Sequence, residues 1–381
     1  MKKEYKFSLL LVERITFMQK EIGSIWDLNP DVHIADSLKI ELGHYGIMGT
    51  DSVLLSTGRS SLSFVLDAIE ERGEALNKRA FIPAFTCDTV ISPFLCHGYE
   101  LFTYPIDNML IADINVFRNM VLKSGATVCL VHRYFGFDTL PDFKSVVAEL
   151  SGKGIIFIED CTQSLYGDFE NLSADYTIGS LRKWAALPDG GYAVCRYGKF
   201  SNKPQSYNLD LEKAKLDAYH LKYLYLYKNK GDVQGYQQMA RYAEAILDSA
   251  KNYYMISPES EYIQSHLDLN ELKRKRRSNY EYLYEKLCDF KDIQVLTPEL
   301  CDADVPFYLA VVTNNREKLQ QYLVKNYIFA SVIWSKSNLL SEIYHEVQYI
   351  YDNILCFPID QRYDIDDMER MTACLKKFYG I

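Results

Sequence analysis

Long hydrophobic runs are missing from this chain of 381 residues. No segment approaches the ~18 consecutive apolar residues that a membrane-spanning helix needs. The short apolar run at residues 7–12 follows Lys2 and Lys3, as in a signal peptide, but Glu13 and Arg14 interrupt it. We therefore expect no membrane association and a cytoplasmic location.

Paired cysteines, clustered histidines and long basic runs are missing as well. The nine cysteines are scattered and show no CxxC spacing, which is typical of reduced thiols in a cytosol. The seven histidines show no HxxxH spacing, so we expect no metal site. The net charge is −9, and the densest basic stretch, residues 273–277, falls in a helical pattern. That pattern favours a solvated helix face over a nucleic-acid site.

Between about residues 53 and 196 the chain alternates short apolar runs with helical patterns. The runs at residues 126–131 and 154–158 are rich in β-branched residues and follow glycine. Such runs are typical of buried strands in a parallel sheet, separated by helices. The sequence therefore predicts an α/β fold, with a mainly parallel central sheet between helices.

The pattern changes in the second half of the chain. Residues 209–254 are helical in pattern and rich in Tyr, Lys and Leu. From about residue 269 a long helix, two strands with a helix between them, and a closing helix predict a small C-terminal α+β domain. We place the large domain at residues 1–260, with a partly helical lead-in over the first ~35, and the small domain at residues 261–381.

The first segment whose residues could bind a ligand runs from Ser56 to Ser61, between a predicted strand and a predicted helix. A helix N-terminus offers unpaired N–H groups and a positive dipole end, which suits a phosphate. Gly58 lets the backbone approach a ligand, and Ser60 carries a hydroxyl that can donate. Ordinary N-capping of the helix is the alternative explanation for these residues.

Three further segments follow. Glu159 and Asp160 end a predicted strand, where ligands of α/β proteins bind, and a buried carboxylate there needs a cationic partner such as a protonated pyridine nitrogen. Lys183 stands in Ser-x-x-Lys among apolar residues, where a lowered pKa favours Schiff-base chemistry. A Ser-x-x-Lys acyl enzyme needs a later Lys-Ser/Thr-Gly, which is absent downstream. Gly190 and Gly191 permit a tight turn beside a ligand.

Taken in order, these segments resemble the DegT/DnrJ/EryC1/StrS family. Its members have the aspartate aminotransferase fold (fold type I) and use pyridoxal 5′-phosphate (PLP), mostly to aminate keto-sugars attached to nucleotides. The similarity is clearest over residues 50–200. It rests on residues 57–62, 81–86, 98–107, 132–136 and 158–163, and on the seven-residue spacing from Lys183 to Gly190.

The resemblance implies a role for each matching residue. Lys183 would hold PLP as a Schiff base and move the proton, and Asp160 would pair with the pyridine nitrogen. Gln163 would contact the ring oxygen. The remaining cofactor-binding predictions are Gly58, Arg59, Ser60 and Ser180 for the phosphate and Phe85 for the ring face. A lysine rather than a histidine at the Schiff-base position favours transamination, with glutamate as amino donor, and sites of this fold lie at a homodimer interface.

Four departures from the family pattern leave alternatives open. Arg59 replaces the usual threonine, Cys87 replaces the stacking aromatic, Ile178 replaces a phosphate-binding serine, and residues 209–254 do not match the usual substrate loop. One alternative is another PLP enzyme of fold type I, such as a lyase or a desulfurase. The other is a degenerate relative that binds a ligand without catalysis.

Overall fold

The computed structural model describes residues 20–31, 40–250, 252–288, 290–340 and 344–381. The apolar run at residues 7–12 and most of the predicted lead-in lie outside these ranges. Among the helices of the described ranges, none combines the length and the apolar character needed to cross a bilayer. In the same ranges, His, Cys, Asp and Glu side chains form no group of three or more suited to a metal ion.

Strands and helices alternate along most of the chain. The strands are β1 (Ile22–Gly23), β2 (Asp51–Leu55), β3 (Arg79–Pro83), β4 (Glu100–Tyr104), β5 (Val128–His132), β6 (Ile156–Asp160), β7 (Tyr176–Ser180), β8 (Gly191–Cys195), β9 (Gln294–Val295), β10 (Leu309–Val312), β11 (Ile328–Phe329) and β12 (Ile354–Phe357). The α-helices are α1 (Gly58–Glu71), α2 (Asp88–Cys96), α3 (Ile114–Ser124), α4 (Phe143–Ser151), α5 (Leu209–Lys228), α6 (Val233–Ser249), α7 (Pro258–Ser265), α8 (Leu269–Leu287), α9 (Arg316–Lys325), α10 (His345–Asn353) and α11 (Ile365–Tyr379).

The central sheet has seven strands in the order β2-β8-β7-β6-β5-β3-β4. Strand β8 runs antiparallel to both of its neighbours, and the pairs from β7 to β4 are parallel. Every residue of β5 and β6 is buried, which explains why both strands are apolar up to the polar residues at their carboxyl ends. The predicted α/β fold with a mainly parallel sheet is confirmed.

Helices cover both faces of this sheet. The apolar sides of α1 and α2 pack on one face with Val53, Val128 and Ile158. Those of α3 and α4 pack on the other face, in a core that continues into the C-terminal residues. Because successive strand residues point to opposite faces, each strand end delivers one side chain to each side of the sheet. This alternation decides which side chains reach the site described below.

The C-terminal part is built on an antiparallel sheet in the order β12-β10-β9, against which α8 and α10 pack, and α11 packs on α8. The described end of the lead-in joins this part, since β1 pairs in parallel with β11. The buried amine of Lys222 on α5 donates to the carbonyls of Gly23 and Ile25. The boundary between residues 260 and 261 stays a prediction.

The basic stretch at residues 273–277 is only partly solvated. Arg276 on α8 is 1% exposed, and its guanidinium lies 4.6 Å from the centre of the Trp184 ring. Arg277 donates to the carbonyls of Cys301 and Asp304. The prediction of a solvated helix face is therefore wrong for Arg276, because periodicity does not show which neighbours cover a helix.

Candidate active site

A cavity of about 230 Å³ lies where the carboxyl ends of β6 and β7 meet the N-terminus of α1. Its walls bring together six of the eight cofactor-binding residues predicted from the sequence: Gly58, Arg59, Asp160, Gln163, Ser180 and Lys183. Ligands of α/β proteins bind at this edge of the sheet, where helix N-termini and strand ends converge. The cavity is therefore the candidate active site.

Asp160 supplies a buried carboxylate to this cavity from the last position of β6. Its Oδ1 accepts a hydrogen bond of 2.8 Å from the backbone N–H of Thr162. Burial raises the pKa of Asp160, and the bonds from Thr162 offset this only in part. No ion pair to Asp160 is found among the described residues. A ligand with a cationic N–H would complete its surroundings.

Gln163 and His132 line the same cavity as Asp160, and His132 is the register partner of Asp160 on the neighbouring strand β5. Gln163 Oε1 accepts from the backbone N–H of Phe135 at 2.7 Å, which leaves its NH2 group as a donor for a ligand oxygen. Burial lowers the pKa of His132 to about 3, so the imidazole is neutral at physiological pH. Its Nε2 is buried and has no hydrogen-bond partner in the described part of the chain.

Lys183 lies at the end of a 3-10 turn, Leu181–Lys183, directly after β7. Its side chain projects into the cavity, and the hydrogen bonds and ion pairs of the described ranges do not involve its Nζ. The charge of the Arg182 guanidinium beside it, together with desolvation of the amine, lowers the pKa of Lys183 to about 8. An amine with this pKa is a much better nucleophile near neutral pH than an ordinary lysine.

Two glycine contacts hold Lys183 and the start of α1 together. A Cβ at Gly58 would lie 3.2 Å from Cβ of Ser180, and a Cβ at Gly191 would lie 2.4 Å from the carbonyl carbon of Thr57. The Gly190 N–H donates to Ser56 O at 2.6 Å. These contacts give the seven-residue spacing from lysine to glycine a structural reason, because the glycine turn packs directly on the start of α1.

The N-terminus of α1 offers backbone donors rather than free hydroxyls. Thr57 and Ser60 form a capping box, in which the Ser60 N–H donates to Thr57 Oγ1 at 3.0 Å and the Ser60 hydroxyl is engaged by Thr57. Ser60 is not among the residues that line the cavity. The N–H groups of Gly58 and Arg59 donate to no other residue in the described ranges, and they suit an anionic group.

Arg59 is engaged by α6. Its Nη2 donates to Asp248 Oδ1 at 3.0 Å, while its Nε is buried without a hydrogen-bond partner in the described residues. The side chain is 31% exposed and lines the cavity, so it does not simply point into solvent. An anion at the start of α1 would compete with Asp248 for this guanidinium.

Phe85 does not line the cavity, although the sequence suggests it as a cover for a ligand ring. It is fully buried, and its ring packs on Tyr351 and Trp334 with centroid distances of 4.8 and 5.3 Å. The aromatic side chains at the cavity are instead His132, Phe307, Tyr308 and Trp334. The rings of His132 and Trp334 lie 5.8 Å apart with an angle of 16° between their planes. Cys87 also lines the cavity, and burial raises the pKa of its thiol.

Glu159 precedes Asp160 but serves the opposite face of the sheet. Its Oε1 accepts from Arg133 Nη1 at 2.6 Å in a buried ion pair. Burial raises the pKa of Glu159, and the charge of Arg133 opposes this shift. The two adjacent carboxylates therefore differ in role, since only Asp160 reaches the candidate site.

A buried carboxylate also anchors the glycine turn. Asp189 is 0% exposed, and its Oδ1 accepts from the hydroxyls of Ser257 and Ser260 at 2.8 and 2.6 Å. Burial raises the pKa of Asp189 to about 6, against the effect of these serine bonds. This contact joins the turn after Lys183 to the start of α7.

Several residues of the site are not evident from the sequence. Trp334, Phe307 and Tyr308 reach the cavity from the C-terminal part, and Leu247 reaches it from α6. Their positions depend on how distant segments pack, and no local motif marks them. Arg182 is the exception, because its place beside Lys183 could have indicated an effect on the pKa of the lysine amine.

The groups of this cavity fit PLP. Asp160 is a buried anion that lacks a cation, Gln163 offers an amide donor, and Lys183 offers an unpaired amine. The close approach of Gly58 and Gly191 keeps side chains away from the backbone N–H groups at the start of α1. These are the groups that a pyridinium, a ring oxygen, an aldehyde and a phosphate each require.

Comparison with known proteins shows one fold. No protein-family model matches the chain, and no curated protein matches it in sequence. PseC of Helicobacter pylori, an aminotransferase of pseudoaminic acid biosynthesis, superposes with a TM-score of 0.67 at 13% identity, over 95% of this chain and 100% of its own. This chain has the fold of the sugar aminotransferases.

Two further solved structures agree. The sugar aminotransferase CalS13 of Micromonospora echinospora has a TM-score of 0.64 at 15% identity, over 95% of this chain and 99% of its own. A DegT/DnrJ/EryC1/StrS aminotransferase of Brucella abortus has a TM-score of 0.62 at 16% identity, over 89% and 88%. The fold expected from the sequence resemblance, fold type I, is therefore confirmed.

Proposed function

We propose that this protein is a PLP-dependent aminotransferase that transfers an amino group, supplied by glutamate, to a keto-sugar attached to a nucleotide. One observation carries the proposal: the buried Asp160 carboxylate and the Lys183 amine face a single cavity, and neither has an ionic partner among the described residues. Two of its fold neighbours support the choice of acceptor: CalS13 is a sugar aminotransferase, and PseC is an aminotransferase of pseudoaminic acid biosynthesis.

Each residue of the cavity has a separate role in this proposal. When bound, PLP supplies the electron sink that stabilises negative charge at the carbon next to the migrating nitrogen. Asp160 keeps a ring nitrogen protonated, because burial strengthens its attraction for a cation. Gln163 orients the ring through its NH2 group, and the N–H groups of Gly58 and Arg59 hold the phosphate with the dipole of α1. Trp334 or His132 covers the ring face.

Lys183 would hold the cofactor through its amine and would move a proton at the substrate carbon. Its pKa of about 8 leaves an appreciable fraction of free amine near neutral pH. Once released from the cofactor, the same amine can take a proton from the substrate carbon and return it to a neighbouring atom. The turn at Gly190, held by Ser56 and Asp189, keeps this side chain close to the start of α1.

The other PLP reactions of this fold receive less support from the site. A desulfurase needs a reactive thiolate, but burial raises the pKa of Cys87 in the cavity and raises that of Cys161 further. Cys195 is buried within β8. A ligand-binding relative without catalysis would not need the unpaired amine of Lys183.

Absorbance spectroscopy tests the proposal. Purified protein with PLP should show a visible absorbance band from the Schiff base on lysine, and Lys183→Ala should lack it. Adding glutamate should convert the band, and adding a nucleotide keto-sugar should restore it. A normal band in Lys183→Ala would rule out the assignment of the lysine. A band that glutamate leaves unchanged would favour a non-catalytic relative.

We further propose a homodimer in the cytoplasm, serving surface-polysaccharide or secondary-metabolite biosynthesis. All nine cysteines are free thiols, which supports a reducing compartment. Sedimentation equilibrium of the purified protein tests the dimer, and a monomer at micromolar concentration would contradict it.

A further inference from the structure

A second cavity adjoins the first at Lys183. It has a volume of about 180 Å³. Arg182, Lys183, Phe307 and Tyr308 line both cavities, and the other walls come from residues 24–26, α5, α6, α8 and the segment before α11. Pockets for drug-sized ligands measure roughly 300–1,000 Å³. The second cavity is therefore suited to a small ligand rather than to a whole nucleotide.

Arg276 supplies a buried cation to this cavity. It is 1% exposed, and no carboxylate lies within ion-pair distance of it in the described residues. Its Nε donates to Gln361 Oε1 and its Nη1 donates to the carbonyls of Pro306 and Phe307. These bonds leave Nη2 without a partner in the described ranges. Burial lowers the pKa of Arg276 to about 10, so the guanidinium is still charged at neutral pH.

A second excess of positive charge comes from other elements, the turn after β7 and α5. Lys215 Nζ and Arg182 Nη1 both approach Glu244 Oε1, Arg182 at 3.8 Å, so two cations share one carboxylate. Arg182 Nε is buried and has no hydrogen-bond partner in the described part of the chain. Lys215 is itself buried, and burial lowers its pKa. An added anion would relieve the repulsion between these groups.

The remaining ionic pair of the cavity is already neutral. Arg362 binds Asp360 through two bonds of 2.8 and 2.9 Å, and it donates a third bond to the carbonyl of Ile25. This pair therefore has little capacity for a further anion. The unbalanced charge of the cavity lies at two places, Arg276 and the pair of Arg182 and Lys215.

We propose that the second cavity binds a dicarboxylic amino donor, with Arg276 holding one carboxylate and Arg182 with Lys215 holding the other. This rests on the proposed function, because the nitrogen of the donor has to reach the place that Lys183 occupies. Two separated cationic groups match two carboxylates, and planar guanidinium groups bind carboxylates through paired hydrogen bonds. The donor would thus be selected by charge at both of its ends.

Glutarate is a suitable probe, because it carries two carboxylates but no amino group and so cannot react. Its affinity for the PLP-loaded protein would be measured by isothermal titration calorimetry. We expect Arg276→Gln and Arg182→Gln each to weaken glutarate binding by roughly tenfold to a hundredfold, as expected for loss of a charged hydrogen-bonded partner. Arg274→Gln is the matched control, since Arg274 lies on the same helix but is exposed and pairs with Glu271.

Two further measurements keep the proposal open to refutation. Arg276→Lys keeps the charge without the planar fork, so it should retain more affinity than Arg276→Gln and should fold if the glutamine variant does not. Glutarate affinity that is unchanged in both Arg182→Gln and Arg276→Lys would overturn the proposal. Pyrophosphate is the competing anion: if these variants weaken pyrophosphate binding but not glutarate binding, the cavity serves a nucleotide and the proposal is wrong.

Failure of this inference differs from failure of the proposed function. A wild-type protein with a visible PLP band that glutamate converts, but with glutarate binding independent of Arg182 and Arg276, would overturn the inference alone. A wild-type protein that forms no visible band with PLP would overturn the proposed function, and with it the inference that rests on it, whatever its affinity for glutarate. Both readouts use the same purified full-length chain.

Discussion

Gly191 lies against the backbone of Thr57, so close that a Cβ atom at Gly191 would fall 2.4 Å from the Thr57 carbonyl carbon. The strand that starts at Gly191 therefore packs on the residue that caps α1. On the same turn, the Leu181 N–H donates to Gly190 O at 3.0 Å, close to Lys183 in the chain. The glycine turn thus holds the lysine and the α1 N-terminus in a fixed relationship.

Replacing Gly191 with alanine should disturb both sides of this contact. The added methyl group has to displace backbone, so we expect a loss of about 1–3 kcal/mol in the free energy of unfolding and weaker PLP binding. Denaturant unfolding and fluorescence titration with PLP measure the two effects. Gly43→Ala is the control, because a Cβ there meets no heavy atom within 4 Å. Equal stability of the two variants would contradict the prediction.

Substitutions of the adjacent carboxylates Asp160 and Glu159 should affect different properties, amino transfer in the first case and stability in the second. Asp160→Asn removes the charge that a protonated ring nitrogen needs, so we expect amino transfer to fall by about a hundredfold or more with little loss of stability. Glu159→Gln breaks the buried pair with Arg133 and should cost about 3 kcal/mol of stability. Single-turnover spectroscopy and thermal unfolding separate these effects. Equal loss of activity in both variants, at a temperature where both are folded, would contradict the assignment of Asp160 alone to the candidate active site.

The capture of PLP by the apoprotein should depend on pH through Lys183. Only the free amine attacks an aldehyde, so the rate should rise with pH, with a midpoint at about 8, and then level off. Arg182→Gln removes a neighbouring positive charge and should move the midpoint upward. Glu244→Gln removes a negative charge that favours the ammonium form and should move it downward. Stopped-flow absorbance measures these rates, and identical midpoints in all three proteins would contradict the role given to Arg182.

Arg59 and Asp248 should affect phosphate binding in opposite directions. Arg59→Ala removes a guanidinium beside the N–H groups of α1, and we expect PLP to bind roughly tenfold more weakly. Asp248→Ala frees the same guanidinium from its present partner and should strengthen binding or leave it unchanged. Equilibrium dialysis of PLP gives both constants, with pyridoxal, which lacks the phosphate, as the control ligand. An equal effect of Arg59→Ala on pyridoxal would show that the phosphate is not its target.

Local sequence was sufficient for much of the site. The family resemblance implies PLP-binding roles for Gly58, Asp160 and Lys183, and these residues line one cavity because strand ends and helix starts in an α/β fold converge on one edge of the sheet. The opposite fates of Glu159 and Asp160 follow from the alternation of side chains along β6. Phe85 could not be placed in this way. Trp334, which is distant in the chain, packs against Phe85 and lines the cavity in its place.

The sequence by itself determined the fold class and the residues at the ends of its strands, since apolar periodicity, glycine turns and capping residues act over a few positions. Only the tertiary structure decided the ionic surroundings of those residues. Arg59 pairs with Asp248, Arg182 shares Glu244 with Lys215, and Arg276 is buried rather than solvated. Charge pairing and burial depend on segments that are distant in the chain and meet through folding. The periodicity of one segment shows its own apolar face but not the residues that pack against it.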